Sequence, residues 1–184
     1  MKYIEPWLTY PLETVSQGER SAELTKAVIK QFQVETNPRY TPRDINKDGT
    51  QDTFCNIFLW DFSRAMGCEI PHWVLANGAV AAVGAGKELN ANATVDWIRG
   101  YGVISGWRKI TETEAREAAG RGYPTVVLWQ HHGGIGHVAV VWPSPGLNDV
   151  TLIAQAGSKN FEEQLLKKGF GRLSEPSLEF WTHL

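Results

Sequence analysis

Between residues 44 and 55 the chain has little conformational choice. Asp44-Ile45-Asn46-Lys47-Asp48-Gly49-Thr50-Gln51-Asp52 puts side-chain oxygens at the first, third, fifth and ninth positions of a turn and glycine at the sixth. This is the spacing of an EF-hand-type calcium loop, whose oxygens converge on one point while the glycine permits the bend. Thr50, at the seventh position, can offer its backbone carbonyl. The twelfth position, where an EF-hand carries a bidentate glutamate, is Cys55. A hard cation has no use for a thiol. The spacing therefore predicts Ca2+ in a structural or regulatory role, held by Asp44, Asn46, Asp48, Thr50 and Asp52, with a cysteine at its end that serves another purpose. An acidic turn without an ion is the plainer alternative.

The 184 residues suffice for one domain with a substantial core, and 42% apolar with 21% charged residues is ordinary for a globular chain. A net charge of -2 argues against nucleic acid or an anionic membrane surface as the main partner. No apolar run approaches the ~18 residues that span a bilayer. The start, Met1-Lys2-Tyr3-Ile4-Glu5-Pro6-Trp7, lacks the apolar core of a secretory signal. Either the chain is cytosolic, or it leaves by a route the sequence does not encode, or a signal has been removed; a monomer made in the cytoplasm is expected. The two cysteines, Cys55 and Cys68, stand thirteen residues apart on what reads as one helix. That is roughly 20 Å at a helical rise, too far for a disulfide, so free thiols are expected.

Residues 1–35 read as an extended lead-in and a helix, residues 36–160 as a catalytic core, and residues 161–184 as short C-terminal elements, all within a single domain 1–184. Ser16-x-x-Glu19 resembles a capping box for a first helix running to about residue 33. Asp52 or Thr53 can cap a second, in which Phe54, Ile57, Phe58, Phe62, Ala65 and Met66 recur at spacings of three and four, ending near Gly67. Shorter helices are expected from Asn92 to Arg99 and from Thr111, opened by a Thr-x-x-Glu box, to about Ala119. Thr125–Trp129, His137–Trp142 and Val150–Ala154 read as strands, the last after a turn at Pro143–Asp149. Helices first and antiparallel strands after make an α+β layout.

With Asp52 at the N-cap, Cys55 would be the third helical residue, where the helix dipole and unpaired amides favour a thiolate and offer an oxyanion hole. The competing reading is a small core residue. A thiolate needs a base, and His137 opens a β-branched strand directly after Gly133-Gly134-Ile135-Gly136. His131 and His132 suit the rim of a site better than its base. Gln155 ends the next apolar run, where an antiparallel strand can bring its amide to the imidazole. A strand-end histidine bonded to a loop carbonyl, and a glutamine facing solvent, are the bland counterparts. Trp60, Trp73, Trp107 and Trp129 are candidates for groove walls or core, and His72, Trp73 and His132 for a substrate groove.

Cysteine on a helix, histidine opening a strand and a polar residue on the next strand resemble the NlpC/P60 and CHAP cysteine peptidases of the papain-like clan. The most specific segments are Asp52-Thr53-Phe54-Cys55-Asn56, Gly136-His137-Val138-Ala139 and Ile153-Ala154-Gln155-Ala156-Gly157. Asn37-Pro38-Arg39-Tyr40, the acidic loop and Glu69-Ile70-Pro71-His72-Trp73 look like those of phage-associated and secreted wall hydrolases of this group. The usual Asp-Cys-Ser-Gly run of NlpC/P60 proteins is replaced here by Phe54-Cys55-Asn56-Ile57. The resemblance implies a papain-like fold, with N-terminal helices on a small antiparallel sheet. It implies a peptidoglycan hydrolase that cleaves an amide, as stem-peptide endopeptidase or N-acetylmuramoyl-L-alanine amidase, by a Cys55-His137-Gln155 mechanism with Tyr40 assisting at the oxyanion. Such an enzyme would act at the bacterial wall or in the periplasm after phage-type release or injection, with a possible immunity or delivery partner. An injected cysteine hydrolase acting on protein or lipid, and a non-catalytic calcium-binding module, are the alternatives.

Overall fold

The β-branched segments 125–129 and 137–141 form the centre of a sheet on which most of the helices pack. In the computed structural model, which describes residues 3–16, 18–146, 149–171 and 177–184, the elements run as follows. They are α1 (Ala22–Lys30), α2 (Cys55–Ala65), β1 (Trp73–Val74), β2 (Lys87–Glu88), α3 (Ala91–Trp97), β3 (Trp107–Ile110), α4 (Glu112–Gly120), β4 (Thr125–Trp129), β5 (His137–Val141), β6 (Leu152–Ala156), β7 (Asn160–Leu165), α5 (Leu166–Phe170) and β8 (Leu178–His183). Six strands make one antiparallel sheet in the order β3-β8-β4-β5-β6-β7, and β1 pairs with β2 in a separate ribbon. The five α-helices and this sheet, counted among the described residues, make a mixed α and β fold, as the sequence predicts at that level. Among the described residues no helix is long and apolar enough to cross a membrane.

Both faces of the sheet are covered, which is why its central strands are apolar at nearly every position. Val126, Leu128, Val138, Val140, Ala154, Ala156 and Trp181 face α1, α2 and α3 and join Val28, Phe58, Phe62 and Val95 in the larger core. Val127, Ala139, Val141, Ile153, Phe161 and Phe180 face the other way, against Ala115 and Ala119 of α4 and Phe170 of α5. The two-residue period of the pleat sorts the residues between the cores.

Local signals set several boundaries as expected. Thr111 accepts from the Glu114 amide while the Glu114 carboxylate takes the Thr111 amide, a complete capping box for α4. Gly67 follows α2 in the left-handed region at φ 69°. Other boundaries move. Ser21, not Ser16, caps α1, accepting from the Leu24 amide at 3.1 Å, because the Ser16 amide is bonded to the Ala65 carbonyl at the end of α2. That helix stops at Lys30, three residues early, and Gln33 has a positive φ of 46°. The helix expected over Asn92–Arg99 starts at Ala91 with Asn90 as its cap, then widens into a π-helical turn over Ile98–Gly102. The strand expected over Val150–Ala154 lies two residues later. Residues 147 and 148 of the preceding turn fall outside the described residues. β3 has no counterpart in the sequence reading, and the segment 161–184 supplies two full strands, one of them between β3 and β4.

Candidate active site

α2 begins at Cys55 itself, with Phe54 in the N-cap position and no side chain capping it. The expectation that Asp52 caps this helix, with Cys55 third, is corrected. Asp52 is engaged in closing the acidic turn: its backbone pairs with Arg43 in both directions at 3.2 and 2.9 Å, and its carboxylate accepts the Ile45 amide at 3.0 Å. The chain is free to turn helical only after that closure. Cys55 therefore sits at the outermost position of the positive helix end, and the first-turn amides carry no side-chain acceptor.

His137 is the first residue of β5. Val140 pairs with Ala154 and Val141 with Ile153, so continuing the register sets Gln155 opposite Ala139. That is the diagonal, same-face neighbour of His137. A register shift between Ile153 and Gln155 on the β7 side locally alters the strand there. The outcome is a contact of 2.7 Å between His137 Nε2 and Gln155 Oε1. Gln155 Nε2 donates to the Lys159 carbonyl at 2.9 Å, which fixes the amide orientation and makes Oε1 the acceptor for Nε2–H. Nδ1 is then the nitrogen left for the neighbouring thiol. Gly157 is required here, since a Cβ would sit 3.2 Å from His137 Cε1 and 2.8 Å from Gln155 Nε2. The Phe170 ring lies over the imidazole with centroids 4.8 Å apart.

Electrostatics couple the pair. Burial alone would push the Cys55 thiol up, but the His137 imidazole beside it and the Val138 and Asn56 amides outweigh that and bring it below the ordinary thiol range. Burial would likewise depress His137, yet the Cys55 sulfur and then Gln155 hold it above the ordinary imidazole value. The two shifts stabilise the same species, thiolate beside imidazolium. Cys68 supplies the contrast: burial among apolar groups pushes its thiol up to about 12. Both thiols are free, as expected.

Cys55 opens onto a cleft of 280 Å3 bounded by Thr53 and Asn56 on one side and by Asn90, Asn92 and Ile135 on the other. Asp52, Thr53, Asn56 and Asn90 also line a second cavity of 510 Å3 that reaches Pro6, Trp7 and Glu88. The shared residues join the two into one trough with the cysteine at one end. Such an arrangement can seat an extended amide and attack its carbonyl with sulfur.

The acidic loop is a closed, exposed turn. Asp44 accepts the amides of Asp48 at 3.1 Å and Gly49 at 2.9 Å. Asn46 Oδ1 accepts the same Asp48 amide at 3.1 Å, and Asp48 accepts from Thr50 N at 2.8 Å and from Asn46 Nδ2 at 2.9 Å. The Thr50 amide, with Asn46, holds the Asp48 carboxyl below its ordinary value. Gly49 takes φ 88° at the bend. The donors are all oxygen and suit a hard cation in kind. In number the ring is short: Cys55 is buried against His137, and among the described residues no three His, Cys, Asp or Glu groups gather as a metal cluster.

Tyr40, expected at the oxyanion, is fully buried and donates its hydroxyl to Asp61 at 2.8 Å. Asp61 is in turn held by Arg39 at 2.7 and 3.0 Å, so the hydroxyl serves α2 rather than the cleft. His72 is 1% exposed and so does not line a groove; its Nε2 lies 2.8 Å from Glu88 and its ring packs between Trp60 and Trp73. Trp73 is half-buried, with its indole N–H toward the Trp7 carbonyl. Trp60 and Trp107 are core, and Trp129 stacks on His131 at 4.8 Å. His132 is exposed on the loop before β5 and borders neither cavity. Asn92, Asn56 and Phe170 carry no sequence signal, because the loop that Asn92 bonds lies 39 to 42 residues on and the other two depend on partners brought near only by folding. No family model matches the chain, and no curated protein matches it.

Proposed function

We propose that this chain is a thiol hydrolase of the NlpC/P60 and CHAP type, with a papain-like arrangement of helix and sheet, that opens an amide bond of peptidoglycan. The observation that carries the reading is the Cys55–His137–Gln155 line, with sulfur at a helix start, the imidazole beside it and Nε2–H held by an amide whose own orientation is fixed. The Cys55 sulfur attacks the carbonyl carbon, and the negative oxygen of the tetrahedral intermediate lies at the Cys55 amide. The intermediate collapses to a thioester as the His137 imidazolium gives its proton to the departing amine. Nδ1 then takes a proton from water, whose hydroxide releases the acid and restores the thiol pair.

Asp44, Asn46, Asp48, Thr50 and Asp52 would hold Ca2+, which when bound supplies positive charge that neutralises the three carboxylates and stiffens the turn. Asp52 belongs to both the loop and the cleft wall, so a stiff turn fixes the approach to Cys55. The enzyme acts at the bacterial wall, reached by phage-type release or by injection.

Purified protein is incubated with peptidoglycan, with calcium or with chelator, beside Cys55→Ala. New amine ends without new reducing sugar ends are expected from the wild type, and none from Cys55→Ala at unchanged fold. Full activity of Cys55→Ala would remove the nucleophile assignment. Calcium is expected to raise the melting temperature, by the equivalent of about 2.7 kcal/mol at a hundredfold excess over Kd. A melting curve and activity indifferent to chelator would leave the loop a plain acidic turn.

A further inference from the structure

One wall of the cleft is a loop to which the mechanism above gives no part. Residues 130–136 join β4 to β5, carry three glycines in their last four positions and deliver the chain to His137. Glycines make such a segment entropically costly to hold still. Its middle is held by the side chain of Asn92. Asn92, the second residue of α3, donates through Nδ2 to the carbonyls of His131 at 3.0 Å and Gly134 at 2.8 Å, and accepts the His131 amide at 2.9 Å. A carboxamide is suited to this because it donates twice and accepts at once. One helical turn on, Asp96 accepts from Gln130 Nε2 at 2.7 Å, gripping the start of the same loop. The approach is close enough that a Cβ on Gly136 would collide with Asn92 Oδ1.

We propose that Asn92 is a positioning residue for the catalytic base. Its clasp fixes the loop so that β5 begins at His137 with Nδ1 set against Cys55, and it keeps Gly134 and Ile135 as the cleft wall. The proposal rests on the reading of Cys55 and His137 as nucleophile and base.

The test is the pH dependence of Cys55 alkylation by iodoacetamide, which needs no amide substrate. Two variants are compared with wild type. Asn92→Ala removes the clasp. Asn92→Asp keeps a residue favoured in a first helical turn but sets a carboxylate against two carbonyls, so it tests the clasp without weakening α3. In wild type the inflexion is expected below the ordinary thiol value of about 8.5. In both variants it moves up, and the rate at about pH 6 falls roughly tenfold for each unit by which the pKa rises above that pH. On peptidoglycan the same variants lower kcat more than they raise KM. Wild-type alkylation profiles in both variants would overturn the role of Asn92. An ordinary thiol profile in the wild type itself would instead overturn the nucleophile–base reading, and the two failures are distinct.

Discussion

At Gln155 the amide has one orientation, because its nitrogen is committed to the Lys159 carbonyl and its oxygen is left for the imidazole. This neutral group therefore sets which nitrogen of His137 keeps its proton. Removing it in Gln155→Ala takes one hydrogen bond from a charged ring, about 1.5–3 kcal/mol, and is expected to lower kcat roughly tenfold to a hundredfold. The pH profile carries a second signature. Thiolate forms as pH rises through the Cys55 pKa, held below the usual thiol value, and imidazolium is lost as pH rises through the His137 pKa, held above the usual one. Activity is thus expected as a bell whose acid limb is Cys55 and whose alkaline limb is His137. Gln155 is among the groups that raise His137, so in Gln155→Ala the alkaline limb moves to lower pH. A profile with an unmoved alkaline limb would separate Gln155 from the base. Cys55, His137 and Gln155 are legible in the sequence because each stands at the end of a periodic run, where a polar residue is conspicuous. Tyr40 and His72 are not, since their burial is decided by Asp61, Trp60 and Glu88, brought to them only by folding.

The element that organises the site is α2, which presents Cys55 at one end and carries Asp61 inside. Asp61 and Arg39 form an ion pair with both side chains at 0% exposure, and Arg39 also donates to the Glu5 and Leu8 carbonyls. Through this pair the helix holds the lead-in whose Pro6 and Trp7 line the trough. Burial pushes the Asp61 carboxyl up, against the pull of Arg39. Asp61→Ala leaves a guanidinium buried without its partner, and a loss of about 3–5 kcal/mol is expected in urea unfolding. Limited proteolysis is expected to cut first within residues 3–12 of that variant; a lead-in as resistant as wild type would show that it docks by other contacts. Helices are legible where their signals are local, as in the Thr111–Glu114 box. Their signals mislead where a tertiary contact competes, as at Ser16, whose amide belongs to the end of α2.

Across the whole molecule the largest departure from the sequence reading is β8. Its six residues alternate as other strands do, Leu178 and Phe180 to one core and Trp181 to the other, yet nothing local says that they lie between β3 and β4. Strand order is a property of the assembled sheet, and β8 satisfies backbone groups on both neighbours. Deleting residues 178–184 would leave β4 and β3 with open edges, and loss of near-UV circular dichroism and of cooperative melting is expected. A truncated chain that still melted cooperatively would show β8 to be an accessory strand. The position of β8 also has a temporal consequence. Gln155, the last of the three positions of the candidate site, leaves the ribosome 23 residues ahead of Leu178, since 178 less 155 is 23. Synthesis runs from the amino end, so β3 stays without a strand partner and β4 keeps an open edge until β8 has emerged. While the chain is still being translated, its sheet is completed last in its interior and not at its edge.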